Sequence, residues 1–160
     1  MAHLKAMLSG LALVLSATLF APAQAGPLED GNAAFQKGDY ATALRLWSQL
    51  AHEGNAEAQH NLGSMYYGGN KYEDAAKWYQ RAADRGIARS QRNLGGMYAN
   101  GQGVSRNFVL AYKWTALAAE KGDDQAKSNL AAIAKLMTPE QVAEAQGLVR
   151  GWKPVASSKR

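Results

Sequence analysis

Residues 58–66 read Ala-Gln-His-Asn-Leu-Gly-Ser-Met-Tyr, and residues 90–98 repeat them as Ser-Gln-Arg-Asn-Leu-Gly-Gly-Met-Tyr. A worn copy follows at 126–134, Ala-Lys-Ser-Asn-Leu-Ala-Ala-Ile-Ala. Leu62, Leu94 and Leu130 mark the same place in the three copies, and the second step is slightly longer than the first. A regular step of this size, within the range of roughly 20–50 residues, marks a stacked array of helical units. One unit cannot bury its own apolar face, so each leans on the next. Such an array offers partners a long surface and usually holds no reaction centre. A binding scaffold is therefore the first expectation.

A second segment keeps the same step. Tyr40, Ala43, Trp47, Ala51 and Gly54 return as Tyr72, Ala75, Tyr79, Ala83 and Gly86. Ala75, Trp78, Ala82, Ala83 and Gly86 return in turn as Ala111, Trp114, Ala118, Ala119 and Gly122. The small residues let two helices approach closely, and the large ones fill the space between units. Trp47, Trp78 and Trp114 are accordingly expected in the core. The longer second step is absorbed between Tyr98 and Ala111, around Gly101-Gln102-Gly103. That triplet has neither a preceding strand nor a Lys-Ser/Thr ending, so it reads as a turn and not a phosphate loop.

Past residue 27 no segment alternates with period two, and apolar residues recur at helical spacing. Helices are predicted over 28–37, 40–53, 56–67, 71–85, 88–99, 107–121, 124–136 and 139–150. Gly38, Gly54, Gly86 and Gly122 supply left-handed helix ends, and Asp39, Asn55 and Asp123 cap the helices that follow. Thr138-Pro139-Glu140-Gln141 has the order of a capping box with Pro at the first helical position. The domain is expected to run 26–152, with units near 28–55, 56–87 and 88–123, a terminal cap over 124–152, and a flexible tail over 153–160.

Residues 1–25 read as a cleavable export signal. They hold a basic start to Lys5, an uncharged apolar run from Ala6 to Phe20, then Pro22 and Ala23-Gln24-Ala25. Cleavage is expected after Ala25, placing the protein in the periplasm or outside the cell. The apolar run is several residues short of the ~20 needed to span a bilayer, so no stable membrane anchor is expected after cleavage. The chain has no Cys, which excludes disulfides, thiolate metal sites and a Cys nucleophile. Its net charge of +5 is spread along the chain, far from a nucleic-acid-binding arm. His52 and His60 lack a third ligand, so no metal or other cofactor is expected.

These residues resemble the Sel-one-like repeat, a relative of the tetratricopeptide repeat. The pattern is carried by Ala58, Leu62, Gly63, Tyr66, Ala75, Trp78, Tyr79, Ala82, Ala83 and Gly86, and by Ser90, Leu94, Gly95, Tyr98, Gly101, Gly103, Ala111, Trp114, Ala118, Ala119 and Gly122. Gly31, Ala34, Gly38, Asp39, Tyr40, Ala43 and Trp47 resemble a leading tetratricopeptide-like half. The Gly68-Gly69-Asn70 loop is shorter than the family's, and the last unit keeps only Leu130 and Ala131. The resemblance implies an all-α fold, a right-handed superhelix of antiparallel helix pairs acting as a non-enzymatic adaptor. The implied partner is a protein or peptide, and the open stack ends leave room for self-association. Some cysteine-rich relatives bind or hydrolyse β-lactams, which makes a hydrolase of cell-wall material or β-lactams the alternative. Binding of an anionic envelope polymer is a second alternative, suggested by the charge.

In such a stack the first helix of each unit lines the inner groove. Asn61, Asn93 and Asn129, each one residue before the repeated Leu, would form a ladder there, flanked by Glu57, His60, Ser64, Tyr67, Arg89, Arg92 and Lys127. An Asn side chain donates and accepts together, and Arg adds charge, which suits a peptide. The competing role for the Asn residues is to bond backbone groups of the adjoining unit. Lys77, Arg81, Arg85 and Arg89 recur every four residues and read as a solvated face, interrupted by Asp74 and Asp84.

Overall fold

The computed structural model describes residues 26–156. The predicted signal over 1–25 and the last four residues lie outside that range. Among the described residues there are eight helices and no strand. They are α1 (Pro27–Gln36), α2 (Tyr40–His52), α3 (Ala56–Gly68), α4 (Tyr72–Asp84), α5 (Ala88–Asn100), α6 (Phe108–Glu120), α7 (Asp124–Ala134) and α8 (Pro139–Gly151).

The caps form as the sequence predicts. Asp39, Asn55 and Asp123 accept from the backbone N–H groups of Thr42, Ala58 and Ala126 at 3.1, 2.9 and 2.9 Å. Asn107 does the same for Leu110 at 3.0 Å. Thr138 and Gln141 complete a reciprocal capping box. Each such bond satisfies a helix N–H that would otherwise lack a partner.

Helices α1 and α2, α3 and α4, and α5 and α6 pair as hairpins, and each second helix also packs on the first helix of the next pair. The array is thus a solenoid of helix pairs. Ala43, Trp47, Ala51, Ala58 and Leu62 form one buried cluster. Ala75, Tyr79, Ala83, Leu94, Met97, Trp114 and Leu117 belong to a second. Trp47 and Trp114 are core residues as expected. Trp78 is only partly buried, with the Arg81 guanidinium 4.6 Å above its ring and the His52 ring 5.4 Å away.

Within each hairpin one glycine sets the spacing. A Cβ on Gly31 would meet Trp47 at 2.6 Å, one on Gly63 would meet Tyr79 at 2.6 Å, and one on Gly95 would meet Thr115 at 2.3 Å. Below Gly95 the backbone is close as well, with Ala111 O at 3.0 Å and Thr115 N at 3.1 Å. Gly103 has φ +66, and a Cβ there would lie 2.3 Å from the Tyr72 carbonyl, so the long loop is wedged against the start of α4. The turn expected at 101–103 is therefore a built contact.

The terminal unit is built differently from the hairpins before it. Helix α8 packs against α6, not as a hairpin partner of α7. Val149 and Trp152 join the second core cluster. The tail, expected to be flexible from residue 153, is held at its first residues. Val155 N–H donates to Asp84 O at 2.8 Å, and Pro154 lies beside Gly86. Lys121 sits 5.0 Å from the centre of the Trp152 ring and also donates to Gly86 O. The apolar ring of Trp152 and the free α4 carbonyl supply what the repeat pattern of the last unit lacks.

His60 is a second departure. It was expected beside the groove, but it is buried at 8% exposure, with Nδ1 2.8 Å from Ser90 Oγ. Its ring lies 5.6 Å from that of Tyr79. Burial pushes its pKa down to about 4, and the charges of Arg89 and Arg92 add to the shift. The side chain thus joins two units as a neutral imidazole.

Four outcomes follow from this packing. Gly95→Ala is expected to lower stability by about 1–3 kcal/mol through overpacking. Gly96→Ala, whose Cβ meets nothing within 4 Å, is expected to do the reverse. It should raise stability by about 0.5–1 kcal/mol through helix propensity. Denaturant midpoints for the two variants check the contrast, and equal shifts would contradict the packing. Trp152→Ala is expected to cost about 2 kcal/mol in the same measurement. The unfolded chain protonates His60 near pH 6.5, and the folded chain only near pH 4. Stability is then flat above pH 6.5 and falls as pH drops toward 4. The whole loss is about 3 kcal/mol. Comparison of stability against pH for the wild type and His60→Gln isolates this loss, which the variant should not show.

Candidate functional site

Helices α1, α3, α5 and α7 share one face of the stack, and two hollows open on it. The first, about 360 Å³, is lined by Leu28, Asn32 and Phe35 of α1, Trp47 of α2, Glu57, Asn61 and Ser64 of α3, and Arg89 of α5. The second, about 280 Å³, is lined by Tyr67 of α3, Tyr79 of α4, Arg92, Asn93, Gly96 and Asn100 of α5, Gln102 of the long loop, and Gln125 and Asn129 of α7. Apart from buried His60 and from Lys127, every predicted site residue borders one of these hollows. Lys127 pairs with Asp124 on its own helix at 2.7 Å.

Among the described residues, only Asn61 of the three Asn residues makes a side-chain bond to a neighbouring first helix, and that bond goes to a side chain and not to backbone of the adjoining unit. Asn61 Nδ2 donates to Asn32 Oδ1 at 3.0 Å, bridging α3 and α1. In the next unit Tyr79 O–H donates to Ser64 Oγ at 3.1 Å, joining α4 to α3. Burial raises the Tyr79 pKa, so the phenol stays neutral. Asn129 has no such cross-bond: its Oδ1 accepts from Gln125 of its own helix at 3.1 Å.

Charge on this face is paired and partly exposed. Arg89 meets Glu57 at 2.5 Å across α5 and α3. Arg92 lies 3.4 Å from Asp123, the carboxylate that also caps α7. The exposed Arg89–Glu57 pair contributes little stability, about 0–1 kcal/mol, whereas Asp123 is largely buried and holds Arg92 at the start of α7. Tyr67 stands at the rim of the second hollow, donating to Gln102 Oε1 at 3.3 Å and meeting the Tyr72 ring edge-on at 5.2 Å.

The residues set four apart are not a concerted basic ridge. Lys77 pairs with Asp74, Arg81 stacks on Trp78, and Arg89 turns to Glu57. Among the described residues no cluster of three or more His, Cys, Asp or Glu could hold a metal ion, and no helix is long and apolar enough to cross a membrane.

Sequence reasoning missed Asn32, Phe35, Asn100, Gln102 and Gln125. Asn32 could have been found: it follows Gly31 as Ser64 follows Gly63 and Gly96 follows Gly95, so it occupies a groove position of the first unit. Gln102 gave no signal, because its place depends on how the long loop folds back.

Comparison with known proteins agrees with this architecture. The Sel1 repeat family model matches residues 26–55, 56–87 and 88–123. The first unit, which resembles only a tetratricopeptide-like half by its motif, is thus matched as a repeat of its own. The protective antigen c5321 of uropathogenic Escherichia coli, which displays an SLR fold, superposes with a TM-score of 0.72 at 26% identity, over 78% of this chain and 28% of the antigen. This chain therefore spans little more than a quarter of that protein's length. A Sel1 repeat protein from Oxalobacter formigenes superposes with a TM-score of 0.61 at 31% identity, over 66% of this chain and 86% of that protein. No curated protein is significantly similar in sequence. Sel1 repeat proteins are generally non-catalytic scaffolds that mediate protein–protein interaction. With three repeats covering most of the described residues, the protein belongs to the Sel1 repeat family.

Proposed function

We propose that this protein is an exported scaffold that binds a protein or peptide along the face shared by α1, α3, α5 and α7. The observation that carries the reading is the pair of hollows on that face, lined by amide side chains, tyrosines and two arginines. Amides can donate to and accept from the backbone of an extended peptide, and tyrosines add contact area at low entropic cost. The first hollow adds an apolar floor, where Phe35 packs 5.4 Å from Trp47 and the Trp47 indole N–H has no acceptor among the described residues. Export is supported by the order of features over residues 1–25 and by a first repeat that begins at residue 26. The exported protein then acts in the periplasm or beyond it.

A photo-crosslinking amino acid placed at Tyr67 or at Asn61, on the face, and at Lys77, on the outer helix, tests the assignment in the native cells. The same protein partner is expected from the first two positions and not from the third. Crosslinks confined to Lys77 would show that the outer surface is the one used. The recovered protein should begin at Gly26; an N-terminus at Met1 would remove export by cleavage.

A further inference from the structure

One aromatic pair occurs twice in the stack. Phe35 and Tyr40 meet edge-on at 5.3 Å across the turn between α1 and α2. Their counterparts one unit on, Tyr67 and Tyr72, meet edge-on at 5.2 Å. The second pair is covered by the molecule's own long loop. Gln102 accepts from the Tyr67 hydroxyl, and a Cβ on Gly103 would stand 2.3 Å from the Tyr72 carbonyl. Val104 then packs on the second core cluster, beside Ala76 and Leu94. Under this cover Ala76 and Met97 are buried.

The first pair has no such cover. The loop that would supply it, Gly68-Gly69-Asn70, is too short to reach back. It closes on α3 instead, where Lys71 N–H donates to Tyr66 O at 2.9 Å. A hollow of about 420 Å³ remains, lined by Phe35, Tyr40, Ser64, Met65 and Gly68. Tyr40 is 58% exposed, whereas Tyr72 is partly buried. Leu44, the counterpart of Ala76, is 36% exposed, and Met65, the counterpart of Met97, is only partly buried. Tyr40 and Leu44 stand one turn apart on α2, so the exposed side chains form one patch. A contiguous apolar patch of this kind marks an interaction site.

We propose that this edge of the first unit receives a loop from a partner protein, seated as residues 102–104 are seated one unit on. The chain's own loop shows what fits: a glycine at the closest approach and an aliphatic residue after it. Glycine is required on two counts, because Gly103 has φ +66 and no room for a Cβ. The residue before the glycine is apolar here, because Phe35 lacks the hydroxyl that Tyr67 gives to Gln102. The occupant therefore reads aliphatic-Gly-aliphatic. The inference does not depend on what the groove binds.

The probe is acetyl-Leu-Gly-Val-methylamide, with acetyl-Leu-Ala-Val-methylamide as its control, each followed through the Met65 methyl resonance. The glycine peptide is expected to move that signal and to bind about ten-fold more tightly than the alanine peptide, the scale of one overpacked methyl group. Leu44→Glu, at an exposed position, should weaken the binding and leave the melting temperature nearly unchanged. Replacing residues 68–71 by the sequence of residues 100–107 gives the first pair a loop of its own. That chain should melt at a higher temperature and should no longer bind the peptide. Absence of movement, equal binding of the two peptides, or binding that survives either change would overturn the proposal. Sedimentation at rising concentration supplies a further check. A wild-type dimer that the longer loop abolishes would assign the edge to a second copy of this chain and overturn the partner-loop reading.

Discussion

The spacing of each helix pair depends on a glycine facing a large or branched side chain. Gly31, Gly63 and Gly95 have no room for a Cβ, and Trp47, Tyr79 and Thr115 stand where it would go. Dense interiors tolerate no such overlap, so the hairpins close only while these positions stay bare. The depth to which each second helix sinks against the first then fixes where its side chains emerge. Tyr79 is long enough to pass beneath Gly63 and present its hydroxyl to the groove. Thr115 is not, and α5 and α6 come together close enough for backbone contact. Core packing and groove chemistry are therefore one decision, made at the same three positions.

Buried polar groups give the stack its register. Gln59 Nε2 donates to Ala51 O at 3.0 Å, and Gln91 Nε2 donates to Ala83 O at 3.1 Å. Each glutamine reaches from the first helix of one unit to a carbonyl near the end of the preceding helix. A carbonyl left bare in that dry interface would cost roughly 1–3 kcal/mol, so a slipped unit is penalised as well as unpacked. Lys127 occupies the equivalent position of the last unit and lies exposed. The repeat stops being built where the clamp residue changes.

That loss explains why the helical pattern was readable and the terminal arrangement was not. Helix positions, caps and the spacing glycines follow from local rules, and Asp39, Asn55, Asp123 and Thr138 obey them. The partner of α8 is a tertiary choice between two neighbours. Val149 and Trp152 can bury themselves against α6, whereas α7 offers mainly Ala131 and Ala132, both exposed, on a short helix. Nothing in the spacing of 139–151 expresses that difference. The groove was legible in part for the same reason. Asn61, Asn93 and Asn129 share a register, and register is visible in a repeat. His60 shares it nearly as well, but its burial depends on Ser90, a small polar residue that makes room for the imidazole and bonds it. Trp78 lost its expected core place because its neighbours, His52 and Arg81, accept a ring at the surface.

The four-residue lengthening of the third unit ties these threads together. Its loop carries Val104 into the second core cluster, wedges Gly103 against Tyr72, and brings Gln102 to the groove. Tyr67 and Tyr72, which flank the short loop of the preceding unit, meet each other edge-on and receive the long loop between them and the groove. Without the extra residues the backbone could not reach across from α5 to that unit before entering α6. The unit that carries Gly96 and Thr115 is thus also the unit whose loop is long enough to furnish the hollow with a further amide. A short residue at Gly96, a short residue at Thr115 and a long loop act in the same direction: together they shape the hollow between α5 and α7.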